Sequence, residues 1–295
     1  HTSGLLRMPT NMPESDPTDP AADYTPELMY AFLSSYELPR EVGSEYEYSN
    51  FAVGVLGQIQ ALAAGTSYEE ALTSVITSPL KMKETAITLS PKMKENLAVG
   101  HSMGIPVNNW DLNAMQGAGG IRSSAHDMLL YLSANLGLTK SQLSKAMELT
   151  HTPRHDKAGR QIGLSWFIAK GSLGDIYAHG GGTGGYITFA GFVKETGRGV
   201  VVLTNSGSSN SDDIGLHLLD PQSPLQEVKP DYSYAIRQMI DKDGPAGLME
   251  KYKTLKAENP GKYNLDEDAM NTLGYAYLRQ EKVEAAKAVF GINVL

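Results

Sequence analysis

The apolar positions along most of the chain follow a helical period, and this pattern predicts the first set of elements. Threonine followed by proline, at Thr25 and Pro26, is typical of a helix start, because threonine caps the first turn and proline fits its first position. Between residues 50 and 64, apolar side chains recur every three positions, at Val53, Leu56, Ile59 and Leu62. The same criteria predict helices over Asn50–Ala64, Tyr68–Leu80, Ser123–Leu136 and Asp212–Leu219.

Runs of β-branched and aromatic residues between glycines predict strands in the second half of this region. The predicted strands are Ile162–Ala169, Tyr186–Val193 and Gly199–Thr204. The turn sequence Lys194–Gly197 joins the last two into a hairpin. Helices and strands in this mixture predict an α/β (α+β) domain.

The end of the chain differs in composition from the rest. Residues 230–295 hold 19 of the 58 charged residues but only five of the 30 glycines. The segment Asp220–Pro230 contains three prolines and predicts a linker, so we predict two domains, 1–229 and 230–295. Within the second, small and apolar residues recur at helical spacing over Asp268–Phe290, which resembles one tetratricopeptide-type helix pair. One such pair cannot bury its own apolar face, so we expect it to pack on the first domain or to belong to a truncated array that binds a protein partner.

The composition excludes several classes of function. The chain has 295 residues, is 41% hydrophobic and carries a net charge of −8 at pH 7. It is too apolar for a disordered chain, and without a cluster of basic residues it does not suit nucleic acid as a main partner. Without cysteine it has no disulfide and no thiol nucleophile. No apolar run approaches the length of a membrane span. We predict no cofactor. We also predict no metal site: His151 and His155 have the spacing of neighbours on one face of a helix, but Pro153 between them disfavours a helix there.

Two serine motifs occur in the sequence, and both lack the context that their chemistry needs. Gly100–Gly104 fits the G-x-S-x-G nucleophile elbow, but the elbow needs a helix directly after the serine, and Pro106 follows. The H-G-G-G sequence at 179–182 fits the oxyanion loop of the same enzymes, but it comes after the elbow instead of before it. Ser78–Lys81 fits S-x-x-K, which needs serine at a helix start, whereas this serine ends a predicted helix and Pro79 separates the pair. We interpret Ser102 as part of a loop and Ser78 as part of a helix C-terminus.

Two other segments combine residues that can perform acid–base and oxyanion chemistry. Tyr48 and Asn50 lie just before a predicted amphipathic helix and can face one cleft, where a cation would lower the pKa of a phenol towards that of a base. The alternative is a structural role for both residues, in which Tyr48 packs against its neighbours and Asn50 caps the helix. Residues 179–186 are His-Gly-Gly-Gly-Thr-Gly-Gly-Tyr, whose glycines leave a strand edge open and let amides face an oxyanion. One alternative is a glycine-rich hairpin turn. Another is a phosphate-binding loop, but the G-K-[S/T] sequence and the following helix that such a loop needs are both missing here.

Together these segments resemble the serine β-lactamase and penicillin-binding-protein-like superfamily, which includes class C β-lactamases, D,D-peptidases, D-aminopeptidases and esterases. Tyr48-Ser-Asn50 is similar to the family's Y-x-N motif, and residues 179–186 are similar to its K-T-G-S-T-G-G-F strand motif with histidine in place of lysine. The segments His1–Leu5 and Gly117–Met128 resemble its H-T-S-G-L and A-G-G-L-x-S-T-A-x-D-M sequences. The resemblance extends over roughly residues 1–219. It implies an antiparallel sheet flanked by helices with a helical subdomain, here followed by a C-terminal helix array.

The resemblance also implies roles for individual residues. Tyr48 would activate the nucleophile and protonate the leaving group, and Asn50 would hydrogen-bond the base lysine and the substrate. His179 would occupy the lysine position of the strand motif, close to the Tyr48 hydroxyl. The backbone N–H of Gly182 would donate to the oxyanion. The substrate-binding residues expected beside them are Gly180, Gly181 and Thr183.

The chain departs from the family pattern in two ways. The S-x-x-K segment, expected a few dozen residues before H-T-S-G-L, is absent from the sequence, so we expect this chain alone to be inactive. Histidine in place of lysine implies a charge that changes near neutral pH, which favours an ester or amide hydrolase over an efficient β-lactamase. We therefore expect a serine acyl hydrolase that forms an acyl-enzyme with ester, peptide or β-lactam substrates. A catalytically incomplete relative that binds partners through its cleft and helical tail is the alternative, and the family implies a periplasmic or secreted location.

Overall fold

The computed structural model describes residues 1–14, 16, 18–157, 160–227, 229–258, 261–263 and 267–292. The chain divides into two compact units. The first unit is His1–Gly100 with Val107–Leu225, and the second is His101–Pro106 with Gln226–Leu295. The boundary predicted at residues 229/230 stays a prediction. Residue 228 of the predicted linker and the chain end at 293–295 lie outside the described residues.

The elements are numbered in chain order. The helices are α1 (Pro26–Ser35), α2 (Asn50–Ala64), α3 (Tyr68–Leu72), α4 (Ser78–Leu80), α5 (Pro91–Asn96), α6 (Gln116–Gly119), α7 (Ala125–Asn135), α8 (Ser144–Thr150), α9 (Ser211–Leu219), α10 (Tyr232–Asp243), α11 (Leu248–Glu258), α12 (Glu267–Arg279) and α13 (Val283–Ile292). The strands are β1 (His101–Ser102), β2 (Ile105–Pro106), β3 (His155–Lys157), β4 (Arg160–Ile162), β5 (Phe167–Gly171), β6 (Gly174–Thr183), β7 (Tyr186–Val193) and β8 (Arg198–Thr204). A π-helical turn, Thr73–Thr77, connects α3 to α4, and a 3₁₀ turn, Asn113–Met115, precedes α6.

Strands β3 to β8 form one antiparallel sheet in which each strand pairs with the next along the chain. The predicted strand Tyr186–Val193 is confirmed as β7, and the predicted strand Gly199–Thr204 is confirmed as β8, which begins one residue earlier. The turn between them is also confirmed, because the Gly197 N–H donates to the Lys194 carbonyl at 3.1 Å. Gly197 has a φ of 63°, a conformation that favours glycine.

The predicted strand Ile162–Ala169 is wrong, because a turn divides it into the end of β4 and the start of β5. Between the two strands, the Gly163 N–H donates to the Trp166 carbonyl at 2.8 Å. Ser165 has a φ of 71°, which is incompatible with extended backbone. The β-branched and aromatic residues in this run therefore belong to two antiparallel strands.

The helices predicted around the candidate site are confirmed. Helix α1 follows the Thr25 cap, and α7 follows the Ser124 cap. Helix α2 covers the predicted residues, and its cap is Ser49, whose Oγ accepts a hydrogen bond from the Ala52 N–H at 2.8 Å. The stretch Tyr68–Leu80 is helical throughout, although the π-helical turn interrupts its α-helical geometry.

Within the first unit, helix α2 packs against its neighbours through glycines. The apolar residues whose spacing predicted the helix do not form its buried face. Leu56, Ile59 and Leu62 are 47%, 55% and 69% exposed. A Cβ on Gly57 would come within 3.0 Å of the Gly117 Cα, so only glycine permits this approach. The contact places the segment that begins at residue 117 against α2.

The second unit consists of the β1–β2 hairpin and helices α10 to α13. The helix prediction for Asp268–Phe290 is confirmed as the pair α12 and α13, and the Phe290 ring lies against Gly274, where a Cβ would come within 2.4 Å of it. The likeness to a tetratricopeptide unit stays a prediction. Across the described residues, no helix has both the length and the apolar character needed to cross a bilayer. The unit's core includes Tyr232, Ile236, Leu248, Tyr252, Met270, Leu273, Tyr277, Ala286 and Val289.

His151 is a buried structural histidine packed against the sheet. Its Nε2–H donates to the Asn135 Oδ1 at 2.9 Å, and its ring centroid lies 5.2 Å from that of Tyr177 and 5.0 Å from that of Phe192. Burial, together with the positive charge of Lys194, lowers the pKa of His151 to about 4. The imidazole is therefore neutral in the folded protein at pH 7.

We expect acid to destabilise the first unit through His151. In the unfolded chain this histidine binds a proton below about pH 6.5, whereas in the folded protein it resists protonation until about pH 4. The stabilisation is complete above about pH 6.5 and is lost as the pH falls towards 4, on the order of 2–3 kcal/mol. Urea unfolding of the wild type and His151→Gln at about pH 7.5 and about pH 4.5 measures this loss. An acid loss of equal size in the variant would contradict the assignment.

Candidate active site

The structure brings Tyr48 and His179 together. Tyr48 lies in the segment that leads into α2, whose first residue is Asn50, and His179 lies in β6. The two ring centroids are 6.5 Å apart, with 41° between the ring planes. Strand β6 and the segment that leads into α2 therefore lie close together at these two residues.

The first residues of the chain hold the Tyr48 segment in place. The Glu47 N–H donates to the His1 carbonyl at 2.8 Å, directly before the tyrosine. Directly after it, the buried Ser49 hydroxyl donates to the Leu6 carbonyl at 2.6 Å. The backbone on both sides of Tyr48 is thus held by the first six residues of the chain.

His1 and Arg7 flank the ring of Tyr48. The His1 ring centroid lies 4.2 Å from that of Tyr48, and the Arg7 guanidinium carbon lies 5.4 Å from it. The Ser49 N–H donates to the His1 Nδ1 at 3.2 Å, so this nitrogen carries no proton and the ring orientation is fixed. A cation over a phenol ring is attracted to the ring's negative face, and a nearby cation is the condition that a phenolate base needs. Neither residue was predicted as part of the site, although the likeness of His1–Leu5 to H-T-S-G-L marked the segment that contains His1.

Strand β6 continues beyond the end of its neighbour β5. Pairing with β5 ends where Phe167 faces Ala178, whereas pairing with β7 continues from His179 to Thr183. Within the described sheet, the β5-facing edge of residues 179–183 therefore has no strand beside it. This is the open edge that the glycine-rich sequence predicted. The segment is nevertheless strand and not loop, because only Gly184 and Gly185 form the hairpin turn.

The predicted substrate-binding residues all lie along this open edge. Gly180, Gly181 and Thr183 are consecutive or nearly consecutive in β6, as is Gly182, the predicted oxyanion donor. At the far end, a Cβ on Gly119 of α6 would lie 3.7 Å from the Thr183 methyl group. The end of β6 therefore meets the same segment that packs on α2.

The hydrogen bond of His179 defines the protonation of its ring. Its Nδ1 is bonded to the Gly180 carbonyl oxygen, which can only accept, so Nδ1 carries the proton. In the neutral ring, Nε2 is then the nitrogen with a free lone pair, and in the imidazolium it is a second donor. The Phe167 ring packs on the imidazole with a centroid distance of 5.2 Å.

Asp212, which was predicted only as the start of a helix, lies beside Gly180 of β6. It lies in the first turn of α9, and a Cβ on Gly180 would come within 2.3 Å of its Oδ1. Burial raises the pKa of the Asp212 carboxyl, the positive charge of His179 acts to lower it, and Asp213 acts to raise it.

The two serine motifs lie in structures that do not suit a nucleophile. Ser102 belongs to the β1–β2 hairpin, whose turn residues Met103 and Gly104 have φ values of 51° and 72°, and no helix follows. Ser78 begins the short helix α4, but Lys81 lies beyond the helix end with a φ of 60°. In the described part of the chain, no group of three or more acidic or histidine side chains is arranged to hold a metal ion.

A protein-family model described as Beta-lactamase matches residues 1–221. The chain belongs to the beta-lactamase family. The predicted fold class is confirmed, because a class C beta-lactamase of known structure superimposes with a TM-score of 0.66 at 22% identity, covering 77% of this chain and 68% of that one. The beta-lactamase/D-alanine carboxypeptidase of Pseudomonas syringae superimposes with a TM-score of 0.62 at 16% identity, covering 68% of this chain and 66% of that one.

Among curated proteins, this beta-lactamase family member is similar to the D-alanyl-D-alanine-carboxypeptidase/endopeptidase AmpH of Escherichia coli strain K12. The two are 30% identical over 223 residues, which cover 70% of this chain but only 57% of the relative. A beta-lactamase of the same strain is 24% identical over 215 residues, covering 61% of this chain and 56% of the relative. The chain thus spans somewhat more than half the length of these relatives. The roles of Tyr48, Asn50, His179 and the β6 glycines stay predictions.

Proposed function

We propose that this protein is a serine acyl hydrolase that cleaves an ester, peptide or β-lactam bond through an acyl-enzyme. The observation that carries the proposal is the pair of rings, Tyr48 and His179, at the open edge of β6. An acyl substrate laid along this edge would have a phenol and an imidazole beside its reacting carbonyl. Membership of the family supports the same reaction class.

In the proposed reaction, Tyr48 acts as a phenolate that takes the proton of the serine hydroxyl while the serine oxygen attacks the acyl carbonyl. The carbonyl electrons move to its oxygen, which accepts a hydrogen bond from the Gly182 N–H. When the carbonyl re-forms, the leaving group departs and receives the proton from Tyr48. A water molecule then gives a proton to Tyr48 and attacks the acyl-serine. The bond from the carbonyl carbon to the serine oxygen breaks, the serine oxygen takes the proton from Tyr48, and the acid is released. His179 stabilises the phenolate through its positive charge, and Asn50 hydrogen-bonds the base lysine and the substrate.

We also propose that the serine and its lysine lie in sequence outside these 295 residues. S-x-x-K occurs once, at Ser78–Lys81, and there the helix ends before the lysine. An activated serine needs the lysine one turn later on the same helix face. The same observation favours a second candidate, a catalytically incomplete relative that binds a ligand at the β6 edge and a protein partner through helices α10 to α13.

Intact-mass measurement separates the two candidates. We expect the protein prepared with the sequence that precedes His1 to gain one acyl group from an activated ester or a penicillin, and to be labelled by a fluorophosphonate at the upstream serine. The chain 1–295 alone should gain none. Acylation of the chain 1–295 would show that the nucleophile lies within it. No acylation of the longer protein by any of these reagents would overturn the hydrolase proposal and favour the binding protein.

We propose a periplasmic or secreted location, as the family resemblance implies. Cell fractionation of the source organism should find the protein outside the cytoplasm. A pool confined to the cytoplasm would contradict this.

A further inference from the structure

One cation of the candidate site, Arg7, lies beside Tyr48 without an ion pair in the described part of the chain. Its guanidinium carbon is 5.4 Å from the centroid of the Tyr48 ring, and the residue is exposed. None of the ion pairs between described residues includes Arg7. We propose that Arg7 binds a carboxylate of the substrate and makes the protein selective for anionic substrates over neutral ones. This inference rests on the proposed hydrolase function and narrows its substrate class.

The backbone at Arg7 is held against the start of α2. The Phe51 N–H donates to the Arg7 carbonyl at 3.1 Å. One residue earlier, the Leu6 carbonyl accepts the hydrogen bond of the Ser49 hydroxyl at 2.6 Å. The side chain of Arg7 therefore extends over the Tyr48 ring from a fixed base, and its exposure leaves the N–H groups of the guanidinium accessible to a ligand.

The acidic residues nearest to Tyr48 in sequence pair with a different arginine. Arg40 Nε lies 3.9 Å from the Glu45 Oε2, and the same guanidinium bonds the Glu47 carboxylate. The charge of Arg40 is thus balanced by two carboxylates within the protein. Although the whole chain carries a net charge of −8, the charge of Arg7 is left to attract an anion from outside. An accessible cation beside reacting groups concentrates anionic substrates there.

A guanidinium suits a carboxylate in shape as well as in charge. Its N–H groups form a planar fork that fits two carboxylate oxygens, and such charge-assisted bonds are stronger than those between neutral groups. A guanidinium ordinarily stays charged at every pH at which proteins are folded, whereas an imidazole ordinarily loses its charge near neutrality. The site therefore keeps a lasting cation next to Tyr48, although histidine stands at position 179 in place of the lysine of the strand motif.

Matched pairs of esters test this selectivity in the longer protein. Mono-4-nitrophenyl glutarate and 4-nitrophenyl pentanoate release the same phenol, but only the first carries a carboxylate on its acyl part. The esters 4-carboxyphenyl pentanoate and phenyl pentanoate differ by a carboxylate on the leaving group. Within each pair, the ratio of kcat/KM for the anionic ester to that for the neutral ester is the measure of selectivity.

We expect this ratio to fall about tenfold in Arg7→Gln for at least one pair, mainly through KM, because one hydrogen bond to a charged group is lost. The pair that responds shows which part of the substrate carries the carboxylate. The ratio should fall less in Arg7→Lys, which keeps the charge but not the planar fork. A weaker Tyr48 base would slow both esters of a pair alike, so the ratio is insensitive to it.

Lys145→Gln is the matched control, because it removes one positive charge at an exposed position of α8 and should leave both ratios unchanged. Ratios that stay the same in Arg7→Gln, even with lower rates for every ester, would overturn the inference. An equal fall in Lys145→Gln would also overturn it, because overall charge would then explain the selectivity.

A binding measurement keeps this inference separate from the hydrolase proposal. If the longer protein transfers no acyl group at all, the hydrolase proposal fails, and the anilide analogues of the first ester pair are used as ligands. We expect the wild type to bind glutaranilic acid at least about tenfold more tightly than pentananilide in NMR titrations, and Arg7→Gln to lose this difference. Equal binding of the two anilides by the wild type would overturn the assignment of Arg7.

Discussion

Replacing Tyr48 by phenylalanine will lower the rate of acyl transfer by about 10²–10⁴-fold, the range typical of removing a general acid–base group. The variant loses only the hydroxyl oxygen, so the ring can still pack between His1 and His179. Proton transfer from the serine and to the leaving group would both be lost, so kcat should fall while KM changes little. Single-turnover acylation of the longer protein with an activated ester measures the effect.

Tyr36→Phe is a matched control for the Tyr48 prediction. The Tyr36 hydroxyl donates to the Gly4 carbonyl at 3.4 Å, so this phenol also contacts the N-terminal segment but does not face His179. We expect its acylation rate to stay within about twofold of the wild type, since it takes no part in proton transfer. Wild-type rates in Tyr48→Phe would exclude the phenol as the base. An equal loss in both variants would assign the effect to the packing of the N-terminal segment.

The parts of the site that could be predicted from sequence are those whose chemistry is contained in a few consecutive residues. Tyr48 and Asn50 lie in one short segment, and the glycine run beginning at residue 180 is itself the signal for an open strand edge. Tyr48 and His179 are about 130 residues apart in the chain. Only the family resemblance predicted that they lie close together, because no local sequence pattern encodes that contact. His1 and Arg7 contact the Tyr48 ring from another segment of the chain. The likeness to H-T-S-G-L marked the segment that contains His1, but nothing in the sequence distinguished Arg7 from an ordinary surface residue.

The fold shows the same division between local and long-range information. Helix α2 was correctly bounded from its apolar spacing, but its buried face is set by the close contact of Gly57 with Gly117, a residue 60 positions away. The strand prediction over Ile162–Ala169 failed because propensity registers β-branched and aromatic residues but not the left-handed residue Ser165 that separates β4 from β5. Periodicity therefore identifies elements, whereas the partner of an element decides which of its faces is buried.

Replacing His179 by lysine will extend the activity to higher pH. A histidine side chain ordinarily loses its charge near neutral pH, and an uncharged side chain beside Tyr48 would stabilise a phenolate less than a cation does. A lysine ordinarily keeps its charge to about pH 10, so the variant should retain more of its activity at about pH 8.5 than the wild type does. The pH profile of kcat/KM for a neutral ester, measured for the wild type and the variant, tests this prediction.

The same substitution should change the substrate preference, because a lasting positive charge attracts substrates that carry a free carboxylate. We expect the acylation rate with a cephalosporin to rise relative to that with the neutral ester in His179→Lys. His126→Lys, at an exposed histidine of α7, introduces the same charge elsewhere and should leave both the pH profile and the preference unchanged. An unchanged profile in His179→Lys would remove His179 from the mechanism, whereas a changed profile in both variants would reflect overall charge. The pH profile and the substrate preference together distinguish two roles of the cation. A cation that acts on Tyr48 affects every substrate, whereas one that only binds a carboxylate affects only substrates that carry one.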